Sequence, residues 1–255
     1  MQTGSFIWYE LLTSDPGNAI DFYSHVVGWG AQDSGNPHVR YTLLTVNDIP
    51  VAGAMSTADA QMDGVPPMWS GHIMVEDLDG HVERLRQAGG TVHMEPMDIP
   101  DTGRFAIVAD PNGASFQLFE PSRADRGDYP APLTPGTIGW HDLQPSNWDK
   151  AFAFYSGLFG WSKDETIDAG PMGSYHMFRT GGDFPVGGMM DGPSNENADK
   201  WRYYINVGNI DAALERVREK GGTIASGPDE VPGGQWVAQG RDPQNAWFGL
   251  VGTRD

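Results

Sequence analysis

The sequence predicts an α+β fold of four βαβββ modules, arranged as two tandem domains. Two observations carry this. The first is an internal repeat at an offset of 132 residues. Trp8 answers to Trp140, Phe22-Tyr23 to Phe154-Tyr155, and Gly28-Trp29 to Gly160-Trp161. Asp77 likewise answers to Asn209, Gly89-Gly90-Thr91 to Gly221-Gly222-Thr223, and Asp110-Pro111 to Asp242-Pro243. A constant offset over so many unlike positions marks two copies of a whole domain. Only the stretch around Val51-Ala52-Gly53 drifts, to 135, pairing Gly53 with Gly188. The second observation is a weaker repeat of 62 residues inside each copy, which carries Asp15 to Asp77 and Gly28 to Gly90.

The elements follow in order. Phe6 to Leu12 is a short β-rich run. Asp15 then stands as an N-cap with Pro16 at the first helical position. Ala19, Phe22, Tyr23, Val26 and Val27 recur at helical spacing, and Gly28 closes the helix. Strand-like segments follow over 39–46 and 49–55. The second module repeats the scheme, with a strand over 71–75 and a helix on Leu78, Val82 and Leu85 that ends at Gly89-Gly90. Strands are expected over 91–96, 105–109 and 115–119. Asp110-Pro111-Asn112-Gly113 is a strong turn signal that folds the last two into a hairpin. Gly28, Gly90, Gly160 and Gly222 are all expected as helix stops rather than phosphate loops.

Domain limits follow from composition. Residues 121–136 carry Pro121, Pro130, Pro132 and Pro135 without apolar periodicity, as a semi-rigid linker would. The first domain is therefore expected over 1–120 and the second over 137–255. At 255 residues the chain supports two cores of ordinary size. It holds no cysteine, which excludes disulfides, thiolate nucleophiles and thiolate metal sites. The net charge of −18 repels phosphate backbones and anionic bilayers, so neither nucleic acid nor membrane is an expected partner. The N-terminus has no signal-peptide pattern and no stretch is long enough to span a bilayer, so a cytoplasmic location is expected. A homo-oligomer stays open.

The motifs Ala19-Ile20-Asp21-Phe22-Tyr23 with Val27-Gly28-Trp29, and Ala151-Phe152-Ala153-Phe154-Tyr155 with Gly160-Trp161, have a further implication. Together with Asp110-Pro111-Asn112-Gly113 and Gly89-Gly90, they resemble the vicinal oxygen chelate superfamily of glyoxalases, extradiol dioxygenases and bleomycin-resistance proteins. The opening Phe6-Ile7-Trp8-Tyr9-Glu10-Leu11 is similar to its tandem-domain actinobacterial, glyoxalase-like branch. The resemblance implies that paired modules curl a mixed sheet around a cleft. It also implies metal ligands on the first strand of each module and on the last strand of the second. Those positions fall here on Trp8, Ser70 and Gln117, and in the second copy on Trp140, Arg202 and Gly249. Indole, guanidinium and glycine are not metal donors, so the resemblance implies neither a metal nor another cofactor in this chain.

Side chains alternate along a strand, so Glu10 shares a face with Trp8, and His72 one with Ser70. Pseudo-symmetry makes Glu10 and His72 equivalent and expects them to face each other. They could orient a ligand, exchange a proton as an acid–base pair, hold a displaced metal, or form a hydrogen-bonded wall. Met74 and Phe119 are expected to point inward with them. In the second copy Trp140, Asp142 and Tyr204 take the matching places and the histidine is lost. His141 is expected to face the other way, and His176 falls in a segment the periodicity does not place. The expected partner is a small planar or amphipathic molecule; Trp8 and Trp140 either offer it a stacking face or fill the cleft as core. The two functional readings are a metal-independent binder, accessory to natural-product metabolism or resistance, and an isomerase, lyase or dioxygenase-like enzyme built on Glu10 and His72.

Overall fold

A computed structural model describes residues 2–60, 62, 64–122, 129–192 and 199–254. The first copy runs β1 (Phe6–Thr13), α1 (Pro16–Val27), β2 (Gly30–Asp33), β3 (Tyr41–Val46) and β4 (Ile49–Ser56), then β5 (Met68–Met74), α2 (Leu78–Gln87), β6 (Thr91–Ile99), β7 (Gly103–Ala109) and β8 (Ser115–Pro121). The second runs β9 (Ile138–Leu143), α3 (Trp148–Phe159), β10 (Ser162–Asp168), β11 (Ser174–Arg179) and β12 (Gly187–Met189), then β13 (Trp201–Asn209), α4 (Ile210–Glu219), β14 (Thr223–Val231), β15 (Gln235–Arg241) and β16 (Trp247–Thr253). Each copy is an eight-stranded mixed sheet, of order β2-β3-β4-β1-β5-β8-β7-β6 and β10-β11-β12-β9-β13-β16-β15-β14. The α+β fold of repeated βαβββ modules is thus as the sequence reads.

Helix boundaries obey the expected local chemistry. Asp15 accepts from the Asn18 amide at 3.1 Å, and Asn147, Asp77 and Asn209 cap the other three helices in the same way. Gly28 and Gly160 close α1 and α3 in the left-handed conformation. Gly90 and Gly222 correct the expectation. The left-handed residues after α2 and α4 are Gly89 (φ +87°) and Gly221 (φ +79°). Gly90 and Gly222 are there for space. A Cβ on Gly90 would lie 2.6 Å from Leu85 Cδ2, and one on Gly222 2.7 Å from Phe22 Cε2. The short strand β2 also escaped the sequence reading, because all four of its residues are exposed and carry no apolar alternation.

The closest-packed bodies are not the two copies. One compact unit comprises 1–7, 70–126 and 141–201, and the other 8–69, 127–140 and 202–255. Each takes one module from each copy. In the second unit α1 packs on α4, where Arg216 donates twice to the Val26 carbonyl (3.0 and 2.8 Å) and Lys220 pairs with Asp21 at 2.7 Å. In the first unit α2 meets α3, with the His81 and Phe159 rings stacked at 6.2 Å.

A buried latch recurs once in each unit. In the first, Trp201 Nε1 donates to the Tyr155 hydroxyl (3.0 Å), which donates to Asp110 Oδ2 (3.1 Å). Asp110 Oδ1 meanwhile accepts the amides of Asn112 and Ala114, each at 2.9 Å. In the second, Trp69 donates to Tyr23 (2.8 Å), Tyr23 to Asp242 (3.2 Å), and Asp242 accepts from Gln244 and Ala246. Burial raises both carboxyls above the usual range, against the hydrogen bonds that hold them down. Each Asp-Pro turn is therefore completed by a tyrosine from the other copy.

The linker expected over 121–136 lies partly outside the described residues, at 123–128. Its end repeats the N-terminus. Gly136 (φ +89°) accepts from Trp29 Nε1 at 2.7 Å as Gly4 (φ +88°) accepts from Trp161 Nε1 at 2.8 Å.

Candidate functional site

The sequence-selected residues divide between the two units. In the second unit, Trp8 is half-buried and its Nε1 donates to the Tyr41 hydroxyl at 2.8 Å. The Tyr41 ring lies across Gly53, where any Cβ would clash with the tyrosine oxygen. Gly53 is the register partner of Glu10 in the parallel β1–β4 pair, so Trp8, Glu10 and Tyr41 belong to one stretch of wall. Glu10 is half-buried. The same unit holds Trp140, half-buried, and Tyr204, buried, whose hydroxyl accepts from Gln239 Nε2 at 2.6 Å. Tyr204 pairs with Gly249 across β13–β16 and covers it, so that a Cβ at 249 would run into the tyrosine ring. Arg202 is buried, its guanidinium carbon 5.2 Å from the Trp247 ring. Asn206 stands at the position of Met74, as the 132-residue repeat expects, and is buried. Its Nδ2 is bound to the Thr137 carbonyl (3.0 Å) and hydroxyl (2.9 Å).

In the first unit, Ser70, His72, Met74, Gln117 and Phe119 are all buried. Parallel pairing of β5 with β8 sets His72 beside Gln117 and Met74 beside Phe119. The His72 and Phe119 rings are 5.9 Å apart and tilted by 47°. Met74 and Phe119 join Ile7 in an apolar cluster flanked by Ile99 and Phe105. The result is an imidazole and a carboxamide set on an apolar floor. Asp142 is half-buried and accepts from the Tyr175 hydroxyl at 2.5 Å. Tyr175 in turn lies over Gly188, repeating Tyr41 over Gly53.

Two histidines complete the inventory. His141, next to Asp142 on β9, is buried, stacks on Phe6 at 4.1 Å and meets the Val186 carbonyl through Nδ1 at 2.6 Å. A carbonyl only accepts, so Nδ1 carries the proton. Burial pushes the His141 pKa down to about 4, against the opposing pull of that bond. His176 lies in β11 and stacks on Trp148 at 3.4 Å.

The family model of the Glyoxalase/Bleomycin resistance protein/Dioxygenase superfamily matches residues 5–118 and again 137–250. The chain belongs to this superfamily. CFP32 of Mycobacterium tuberculosis, which carries a provisional glyoxylase name, is 32% identical over 249 residues, covering 96% of this chain and 93% of that protein. The anthracycline biosynthesis protein DnrV of Streptomyces peucetius is 29% identical over 269 residues, covering 99% and 94%. Among solved structures, the Mn(II)-bound glyoxalase of Novosphingobium aromaticivorans aligns with a TM-score of 0.67 at 15% identity, over 100% of this chain and 83% of that one. At that identity the likeness is one of fold.

The superfamily includes metal enzymes, so the donor set decides whether these residues fit a metal. They do not. The six positions that the resemblance assigns to ligands hold two indoles, a hydroxyl, a carboxamide, a guanidinium and a glycine. The space a last-strand glutamate would need at Gly249 is filled by the Tyr204 ring. Among the described residues no group of three or more His, Asp or Glu side chains is placed to hold a metal ion. Tyr41 and Tyr175 are partners of the candidate residues Trp8 and Asp142 that sequence reasoning missed. Their signal was Gly53 and Gly188, since a glycine within a strand marks the close approach of another group.

Proposed function

We propose that this superfamily member binds a small molecule without a metal, and that the vacated ligand positions became part of the binding surface. The observation that carries the reading is the replacement of all six positions, with Tyr204 seated over Gly249. In the second unit Trp8 supplies an aromatic face and Glu10 a carboxylate; in the first unit His72 and Gln117 are polar groups set on the apolar floor of Met74 and Phe119. Ser70 extends that set. In the second copy Trp140, Asp142 and Tyr204 stand at the matching sequence positions, Trp140 and Tyr204 in the second unit and Asp142 in the first, and no histidine matches His72. The pairing of Trp8 with Glu10 in the second unit suits an uncharged or cationic planar molecule with a polar edge. The relatives named for anthracycline biosynthesis add support for a planar ligand of natural-product metabolism.

Among the described residues no helix is long and apolar enough to cross a membrane. A cytoplasmic location and domain limits of 1–120 and 137–255 belong to the same proposal. The test is a titration with daunorubicin and other planar polyketides, read by calorimetry, on the wild type and on Trp8→Ala, His72→Ala and Trp140→Ala. Saturable binding that Trp8→Ala or His72→Ala weakens at least tenfold, and Trp140→Ala does not, supports the reading. Unchanged affinity in all three variants moves the site elsewhere. A turnover abolished by Glu10→Gln with binding intact would make the protein an enzyme instead.

A further inference from the structure

A cavity in the first unit lies apart from the residues assigned above. It measures about 340 Å³ and is lined by Gln2, Ser5, Phe6, His141, Thr180, Gly182 and Val186. Its outer wall is the connection between β11 and β12, which has no counterpart in the first copy. There β3 and β4 are joined by the two-residue turn Asn47-Asp48, both residues at positive φ. In the second copy the strands part early and seven residues, 180–186, intervene. This is where the internal repeat slips in phase, just before Gly188.

The lining is built. The Gln2 side chain is laid over the loop, so that a Cβ on Gly181 would clash with its carboxamide. Val186 is fixed from β9 by both the amide and the Nδ1 of His141, at 3.1 and 2.6 Å. Thr180 is buried. His141 alternates with Asp142 along β9, so the cavity uses the face of that strand opposite to the one considered above. The same loop carries Phe184, which is 79% exposed, far more than a large aromatic ordinarily is in a folded surface.

The chemistry of the lining selects the ligand. It offers one carboxamide and two hydroxyls, each both donor and acceptor, and the flat rings of Phe6 and His141. It contains no ordinarily charged side chain, in a protein of net charge −18. His141 itself is uncharged at neutral pH, its imidazole held far below its ordinary range by burial. We propose that this cavity is a second binding site, for an uncharged polyhydroxylated molecule of about the size of a monosaccharide, with Phe184 closing over its apolar face. Hydroxyls paired with Gln2, Ser5 and Thr180, and C–H faces set against aromatic rings, are what such a molecule requires.

The probe is a panel of neutral methyl glycosides, read by saturation-transfer NMR on the full chain. At least one should show transfer from the wild type, and Thr180→Val and Phe184→Ala should each weaken it at least fivefold. Phe184 is exposed and its replacement leaves the core intact, so loss in that variant cannot be a folding defect. Trp8→Ala should leave the signal unchanged, which separates this site from the one proposed above. The inference is overturned if no glycoside of the panel shows transfer at millimolar concentration, or if both variants bind as the wild type does.

Discussion

The two latches and the two tyrosine–glycine pairs make an instructive comparison. The latches are the same object twice, Trp201–Tyr155–Asp110 and Trp69–Tyr23–Asp242, with distances agreeing to about 0.2 Å. Tyr41 over Gly53 and Tyr175 over Gly188 also repeat in shape, but their chemistry differs. The Tyr41 hydroxyl accepts a hydrogen bond from the Trp8 indole, whereas that of Tyr175 donates to the Asp142 carboxylate. Interior hydrogen bonds that complete a turn leave little freedom, because losing one partner strands a buried polar group. A side chain facing solvent or a ligand is not held in that way. The scaffold therefore stays duplicated while the two copies carry different side-chain pairs, Trp8 with Tyr41 and Asp142 with Tyr175.

The largest effect should come from breaking a latch. Asp110→Ala removes the acceptor of two backbone amides and of Tyr155, and should cost about 3–5 kcal/mol in urea unfolding, with Asp242→Ala equal within about 1 kcal/mol. Tyr23→Phe and Tyr155→Phe should each cost about 1–2 kcal/mol. Markedly unequal values for the two copies would break the equivalence.

Protonation of His141 comes next. Its folded pKa of about 4 lies below the ordinary 6.5, so between these values the unfolded chain binds the extra proton. Stability contributed by neutral His141 is complete above about pH 6.5 and is lost as pH falls towards 4. A tenfold difference in proton affinity is worth about 1.4 kcal/mol, which puts the whole loss at about 3 kcal/mol. Unfolding free energies measured across that window should show it in the wild type, and a flatter profile in His141→Phe.

Placing a glutamate at position 249 sharpens the comparison. Gly249→Glu forces its side chain into the Tyr204 ring and should cost about 2–3 kcal/mol. Combining it with Tyr204→Ala should recover part of that cost, which a double-mutant cycle would read as coupling. The smallest effect belongs to Trp8→Phe, which removes one partly buried hydrogen bond to Tyr41 and should cost about 0.5–1.5 kcal/mol.

Much of the fold was legible because its signals are local. Asp15, Pro16 and Gly28 mark α1 by cap chemistry, and the Asp110 turn marks the β7–β8 hairpin. Strand β2 was not legible, since an exposed edge strand needs no apolar alternation. Nor was the pairing of Tyr155 with Asp110. Periodicity reports which face of α3 is buried but not which copy covers it. At the candidate site, the residue types at Trp8, Ser70, Gln117, Trp140, Arg202 and Gly249 were readable from the sequence alone. The seating of Tyr204 over Gly249 was not, because it depends on strand register.

Binding that needs no metal is the central claim. It is tested by one calorimetric titration of a planar polyketide, performed on protein treated with a strong chelator and on the same protein re-equilibrated with Mn(II), Zn(II) or Fe(II), each sample assayed for bound metal. Every sample should hold well under one equivalent of metal and bind the polyketide with the same affinity. A stoichiometric metal whose removal abolishes binding would contradict the claim.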